Sequence, residues 1–245
     1  MFVNHVAGVF TVLALGPLFG GRLDGRTILA GSLAGLCGSL AVIALYSGFA
    51  RSSMAVVSPI AAVGAGAWPA LWQILGGDVP GPVVVIGLVI GLVAIWTISS
   101  GGHIHDAEDV RTGVVYGMLA GLGFGGLLIF LSLASDSSGI WAMLPARFAG
   151  GIVLLVAITT MHRDLLPKRN SLAPSIGAGV LVTLGNGMFL LAVAQGSLAV
   201  VSVIAAMFPA ATVVLAWLVL GEGLTPQRRV GLILALVAVG LVAGG

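Results

Sequence analysis

Apolar residues fill nine runs of this chain, and each run is long enough to cross a membrane as an α-helix. About 20 apolar residues span the hydrocarbon core of a bilayer, and lipid offers the backbone no hydrogen-bond partners, so such runs fold as helices. Charged residues fall mostly in the short segments between the runs. The pattern predicts an all-α, polytopic transmembrane helix bundle. The nine runs are residues 3–20, 27–49, 53–75, 81–99, 112–134, 139–161, 172–194, 198–220 and 228–244.

The composition supports the membrane prediction and narrows the partners. Hydrophobic residues make up 59% of the chain and charged residues 7%, whereas soluble domains carry about 25% charged residues. A net charge of +2 is too small to indicate a nucleic-acid partner. The expected partners are therefore membrane lipids and a small-molecule substrate, and a homo-oligomer is compatible with the composition. The expected location is the cell membrane, as a multi-pass protein of a bacterial inner or plasma membrane.

Small residues recur at four-residue spacing within several of the apolar runs. This spacing places them on one face of a helix and lets neighbouring helices approach closely in lipid. The sequence therefore predicts close helix packing at these positions. They are Gly31 and Gly35, Gly87 and Gly91, and Gly117, Gly121 and Gly125.

The strongest signal is an internal repeat at an offset of 144 residues. The string AVVS at 55–58 recurs at 199–202, and IAA at 60–62 recurs at 204–206. Duplicated helices are typical of secondary transporters. We therefore divide the chain into a first repeat of four helices at 1–100, a polar linker at 101–111 and a second repeat of five helices at 112–245.

The two repeats differ by one helix. The helix at 112–134 opens the second repeat, and its counterpart at the same offset would precede Met1. Two explanations stay open: the chain evolved without this helix, or the sequence is truncated at its start.

The end of the second repeat carries a recognisable pattern of residues. Residues 202–209 read SVIAAMFP, residues 219–227 read VLGEGLTPQ, and Gly231 follows in the last helix. This resembles the EamA-like transporters of the drug/metabolite transporter (DMT) superfamily, with Asp78 of the first repeat in the place of Glu222. The resemblance implies a ten-helix fold of two inverted five-helix repeats that moves small metabolites through a central cavity.

Arg147 is the clearest ionisable residue inside a predicted membrane helix. Such residues are costly in lipid and often mark substrate pathways. Arg147 can line a cavity and bind anionic groups of a substrate, or its long side chain can reach the interface by snorkelling. Both interpretations stay open.

Neutral polar residues form a stripe on one helix of each repeat. Ser39 and Tyr46 are seven residues apart, and Thr183 and Asn186 are three apart, so each pair shares a helix face. Ser39 and Thr183 are related by the 144-residue offset. The stripes either line a midplane cavity or form hydrogen bonds between helices.

Two tryptophans, Trp68 and Trp72, lie one helical turn apart. They can stack on an aromatic substrate or anchor the helix at the membrane interface.

Three residues of the signature pattern, Asp78, Pro209 and Glu222, are interpreted first as structural. Glu222 sits at a helix end, where a turn role competes with a role in coupling. Thr225 and Pro226 resemble the N-cap and first turn of the last helix.

Motifs for catalysis or cofactor binding are not found. There is no glycine-rich phosphate-binding loop ending in Lys-Ser or Lys-Thr, no His-Glu-x-x-His and no Gly-x-Ser-x-Gly in the sequence. His103, His105 and the carboxylates that follow them are interpreted as a solvated loop, and we predict no metal site and no cofactor.

The sequence thus predicts a secondary transporter rather than an enzyme. It is expected to move small metabolites or drugs, amino-acid-like or amphipathic, by alternating access through a central cavity. The alternatives are a non-transporting or truncated helical scaffold and, third, a membrane-embedded enzyme.

Overall fold

The computed structural model describes residues 2–99, 107–134, 138–160, 169–220 and 225–244, and within them the chain is helical with no strand. The all-α fold predicted from the apolar runs is confirmed. The α-helices of the described residues are α1 Phe2–Leu15, α2 Gly25–Phe49, α3 Met54–Leu75, α4 Pro82–Ser99, α5 Ala107–Ser132, α6 Met143–Thr160, α7 Arg169–Val193, α8 Leu198–Ala206, α9 Phe208–Leu220 and α10 Pro226–Gly244.

The chain is a multi-pass membrane protein. Six of the described helices are long and apolar enough to cross a membrane, with mean hydropathies between 1.7 and 2.4. α8 and α9 together count as one of these spans. The six spans begin at Gly25, Pro82, Val110, Met143, Asn170 and Leu198.

The helix bounds follow the predicted runs to within about three residues, with four exceptions. α6 begins at Met143 rather than at 139. α1 ends at Leu15 and a short 3₁₀ turn, Gly16–Leu18, follows it. α5 begins at Ala107, inside the segment that we assigned to the linker. The run 198–220 was predicted as one helix, and this is wrong in detail because α8 and α9 are separated at Met207. Pro209 has no N–H to donate to the preceding turn, and its ring crowds that turn.

Matched helices of the two repeats have bounds related by the same offset as the sequence. α2 and α7 each span 25 residues, and their first residues, Gly25 and Arg169, are 144 apart. The first residues of α3 and α8 and those of α4 and α10 are also 144 apart. The inversion of one repeat relative to the other stays a prediction.

Two compact units make up the chain, and each draws helices from both repeats. The first unit comprises Met1–Leu40 and Gly126–Gly196, and the second comprises Ala41–Gly125 and Ser197–Gly245. The chain passes between the units within α2 and α5. In the first unit α1 packs against α6 and α7, and in the second unit α4 packs along α10 and α3 packs on α8.

The predicted close packing at small residues is confirmed. In the first unit, the Cα atoms of Gly31 and Gly35 lie against the backbone carbonyls of Ala142 and Ala146 on α6. A side chain at either glycine would collide with backbone rather than with a movable group.

The second unit has two further contacts of this kind. Gly117, Gly121 and Gly125 of α5 face Ile60, Gly64 and Trp68 of α3 in register. Gly87 and Gly91 of α4 are covered by α10 and α8.

The start of α2 is fixed by a side-chain cap. Asp24 Oδ1 accepts a hydrogen bond of 2.7 Å from the backbone N–H of Thr27, which satisfies one of the free donors of the first turn. The same hydrogen bonding lowers the pKa of Asp24 below its ordinary value of 3.8. This carboxylate is therefore committed to α2 at neutral pH.

Candidate functional site

Arg147 lies buried within the first unit. It occupies the second turn of α6, and its side chain is 5% exposed. A snorkelling arginine keeps its guanidinium in water, whereas Nε and Nη2 of Arg147 are both buried. The structure therefore places a cationic side chain inside a membrane-spanning helix, among other side chains of its own unit.

Two residues at the start of α1 hold Arg147. Its Nη1 donates to Oδ1 of Asn4 over 3.3 Å, and the ring of His5 contacts the backbone carbonyl of Arg147, with Nδ1 3.1 Å from the oxygen. A carbonyl oxygen can only accept, so Nδ1 of His5 carries the hydrogen. The sequence pattern predicted neither residue. Their polar character was the available signal, and it is a weak one because polar residues are ordinary near the start of an apolar run.

α1 approaches the guanidinium most closely at Gly8. A methyl group at Gly8 would lie 2.6 Å from Thr183 Oγ1 and 2.7 Å from Arg147 Nε. Thr183 is 3% exposed, and its hydroxyl donates to the carbonyl of Gly179 over 2.7 Å. The absence of a side chain at Gly8 therefore lets α1, α6 and α7 meet around Arg147.

Ser39 of α2 completes the group from a fourth helix. It is 3% exposed, and a methyl group at Gly150 would lie 2.5 Å from its Oγ and 2.6 Å from Cε1 of His5. Gly150 is three residues after Arg147, so the two share a face of α6. We call Asn4, His5, Ser39, Arg147 and Thr183 the Arg147 cluster.

Unpartnered polar atoms are concentrated in this cluster. Among the described residues, five buried side-chain N or O atoms have no hydrogen-bond partner, and three of them are Nε and Nη2 of Arg147 and Oγ of Ser39. Each such buried group costs about 1–3 kcal/mol, and a charged group costs more. Asp24 is the one carboxylate that the structure describes in this unit, and it caps α2. The cluster thus presents hydrogen-bond donors to whatever acceptor reaches it.

The structure brings together part of the predicted set. Ser39, Thr183 and Arg147 meet in the cluster, and Asn186 lies half-buried on α7, three residues after Thr183. A cavity role for these side chains stays a prediction.

The other predicted substrate residues belong to the second unit. Tyr46 is 55% exposed, and its ring meets the edge of Phe49 with centroids 5.8 Å apart. Trp68 and Trp72 are partly exposed on α3. Their contact with a substrate stays a prediction.

The signature residues that the structure describes have structural contacts. Asp78 accepts a hydrogen bond of 2.7 Å from Nε2 of Gln73. Oε1 of Gln73 in turn accepts from Ser197 Oγ over 2.9 Å and from the backbone N–H of Ala199 over 2.6 Å. The end of α3 is thereby tied to the start of α8. Pro209 marks the break between α8 and α9.

Several sequence predictions fall outside the described residues. They concern Glu222, the loop with His103 and His105, and Asp106. Among the residues that the structure does describe, no group of His, Cys, Asp and Glu is placed to hold a metal ion.

Comparison with known proteins points to one family. The EamA-like transporter family matches residues 111–244, which is more than half of the chain. An uncharacterized protein of Methanocaldococcus jannaschii is 23% identical over 132 residues, covering 54% of this chain and 96% of that protein. A crystal structure of another protein aligns with a TM-score of 0.82 at 13% identity, covering 99% of this chain and 86% of the other. At that identity the likeness shows the fold alone.

Proposed function

This chain belongs to the EamA-like transporter family, within the DMT superfamily, and we propose that it is a secondary transporter of small metabolites or drugs. The proposed solutes are amino-acid-like or amphipathic. They cross by alternating access through a central cavity, so that the cavity opens to one side of the membrane at a time. The proposed location is a bacterial inner or plasma membrane.

The Arg147 cluster is the observation that carries this proposal. A buried cation with two unpartnered nitrogen atoms is costly inside a membrane-spanning helix. Polar groups at membrane depth are tolerated where they pair or where they line a pathway. The pairing that the structure describes, with Asn4, occupies one of the three guanidinium nitrogens. A solute pathway explains why the other two are retained.

The drive is proposed to be an ion or solute gradient. The sequence carries no phosphate-binding loop ending in Lys-Ser or Lys-Thr, so nothing in it indicates the use of ATP. The partners of the protein are then the solute and the surrounding lipids, with self-association as a homo-oligomer as part of the same proposal.

Transport by the purified chain in proteoliposomes tests the proposal. Labelled amino acids and cationic dyes are offered in the presence of proton or sodium gradients, and accumulation is followed over time. We expect at least one solute to accumulate in a gradient-dependent way, and Arg147→Ala to lower the rate about tenfold or more, because charge-assisted hydrogen bonds contribute about 1.5–3 kcal/mol.

Two further variants sharpen this experiment. Asn186→Ala tests the half-buried amide on α7, and Arg26→Ala is the control because Arg26 is exposed at the start of α2. The transport proposal fails if no offered solute moves, and the assignment of the site fails if Arg147→Ala and Asn186→Ala both transport at the rate of Arg26→Ala.

A further inference from the structure

We propose that one edge of the Arg147 guanidinium, formed by Nε and Nη2, is a binding site for a carboxylate. The inference rests on the proposed transport function and specifies its substrate class: the solute carries a carboxylate group.

The geometry of the guanidinium supports a two-point contact. The N–H of Nε and one N–H of Nη2 leave the same edge of the planar group in parallel, and their spacing matches the two oxygens of a carboxylate. Nη1 is the nitrogen that Asn4 holds. The two nitrogens without a partner among the described residues are therefore the two that form a single carboxylate-binding edge.

Asn4 and His5 fix the direction in which this edge points. Asn4 holds the guanidinium through Nη1, and His5 holds the backbone at the same residue through its carbonyl. With its head and its backbone both held by α1 in this conformation, the arginine has little freedom to turn the free edge elsewhere.

Charge balance favours a monoanion. Arg147 is buried, and the one described carboxylate of its unit caps α2. In surroundings of low polarity an opposite charge is attracted strongly, and a charge without one is costly. One guanidinium neutralises one carboxylate, whereas a phosphate dianion would remain half uncompensated.

Ser39 provides a second donor for the same ligand. Its Oγ is buried and without a partner among the described residues, and it lies beside Gly150, one turn along α6 from Arg147. A hydroxyl at this position can donate to the hydroxyl on the α-carbon of a hydroxy acid, or accept from the α-ammonium of an amino acid.

Access to the edge requires α1 to move away from α6. Gly8 of α1 lies against Nε of Arg147 and Oγ1 of Thr183, so the structure shows the edge covered. The carboxylate binds in the conformation in which these helices are separated.

Ligand-dependent melting of the detergent-solubilised full chain tests the site without requiring transport. The probes are benzoate, its neutral analogue benzamide, and inorganic phosphate, each at about 10 mM. Because a ligand that binds the folded state alone raises Tm, we expect benzoate to raise it by about 2 °C or more, and benzamide and phosphate to leave it unchanged. Equal shifts with benzoate and benzamide, or a shift with phosphate alone, would overturn the proposal.

Variants assign the shift to Arg147. Arg147→Gln should abolish the benzoate shift. Arg147→Lys should weaken benzoate binding about tenfold, because lysine keeps the charge and loses the two parallel N–H groups of the guanidinium. Arg26→Gln should retain the full shift. A benzoate shift that survives in Arg147→Gln and in Arg147→Lys contradicts the site. If Arg147→Gln does not fold, the comparison of Arg147→Lys with Arg26→Gln decides.

The same measurements separate this inference from the transport proposal. A benzoate shift that depends on Arg147, in a protein that moves no solute in proteoliposomes, supports the carboxylate site and rejects transport. Gradient-driven uptake of cationic dyes with no benzoate shift supports transport and rejects the carboxylate site.

Discussion

The first unit contains six of the seven buried polar or charged side chains among the described residues, and the second unit contains one, Ser202. The second unit is packed through apolar clusters that include Leu88 and Ile95, and Ala199, Ala206 and Ala235 are buried in these clusters. Both units bury apolar side chains, such as Leu131 and Leu190 in the first unit, and the difference lies in the polar side chains that the first unit buries as well.

This difference indicates a division of roles. The second unit is held by backbone approach at Gly64 and Gly121 and by apolar contacts, which are well suited to a rigid scaffold in lipid. The first unit holds donors without partners, and partly satisfied polar groups lower the stability of the packing around them. Regions of lower local stability are those from which moving elements are drawn. We therefore expect changes at the glycine and apolar contacts of the second unit to affect folding, and changes at the buried polar side chains of the first unit to affect transport.

The largest expected effect is on stability, in the second unit. Gly64→Leu should lower the free energy of unfolding by about 3 kcal/mol, because a side chain there meets the backbone of Gly121 at 2.8 Å and cannot be accommodated without separating α3 from α5. Gly240→Leu on α10 is the control, because a Cβ atom added at Gly240 would have no neighbouring atom within 4 Å outside its own helix backbone. Chemical unfolding in detergent measures the stability of both variants. Equal stabilities would contradict the role of the second unit as a rigid scaffold.

A cavity in the same unit should have the next largest effect. Ile95 is 1% exposed, and Ile95→Ala should lower stability by about 2 kcal/mol through lost packing. This loss is at the low end of the range for such substitutions. Lipid is itself apolar, so burying Ile95 gains little free energy from removal of the side chain from water. Ile233→Ala on the exposed face of α10 should change stability by less than about 0.5 kcal/mol. Transport per folded molecule should remain near wild type in both, and its loss in Ile95→Ala would contradict the division of roles.

A pair of serines gives the smallest effect on stability and the sharpest comparison. Ser39→Ala removes a buried hydroxyl without a partner, so stability should stay the same or rise by up to about 1 kcal/mol, while transport falls severalfold. Ser202→Ala removes a hydroxyl that donates to the carbonyl of Ala199 over 3.2 Å, so stability should fall by about 0.5 kcal/mol with transport retained. The reverse pattern in unfolding and uptake measurements would show that the polar unit is structural.

Much of the fold was predictable because lipid acts on composition directly. An apolar run must be helical, and charges must lie outside it, so the bounds of α2, α3 and α4 could be placed within about two residues. The break at Met207 was not predicted. Pro59 and Pro69 lie within the continuous helix α3, whereas Pro209 coincides with a break, so the presence of a proline does not by itself predict where a helix ends.

The site was predictable only in part. Arg147, Ser39 and Thr183 stood out because polar residues inside apolar runs are rare and costly. Asn4 and His5 did not stand out, since they lie at the start of a run, where polar residues are ordinary. Their importance comes from contact with a residue more than 140 positions away, and no local pattern reports such a contact.

The sequence by itself determined that this protein is a bundle of membrane helices with an internal duplication, and it placed most of the helix ends within about three residues. It could do so because the bilayer constrains each segment independently of the others. Only the tertiary structure decided that α1, α2, α6 and α7 meet around Arg147, and that the polar burial falls mainly in one unit. Those features depend on which helices pack together, and that choice is made by contacts such as Gly8 against Arg147 and Gly64 against Gly121, between residues far apart in the chain.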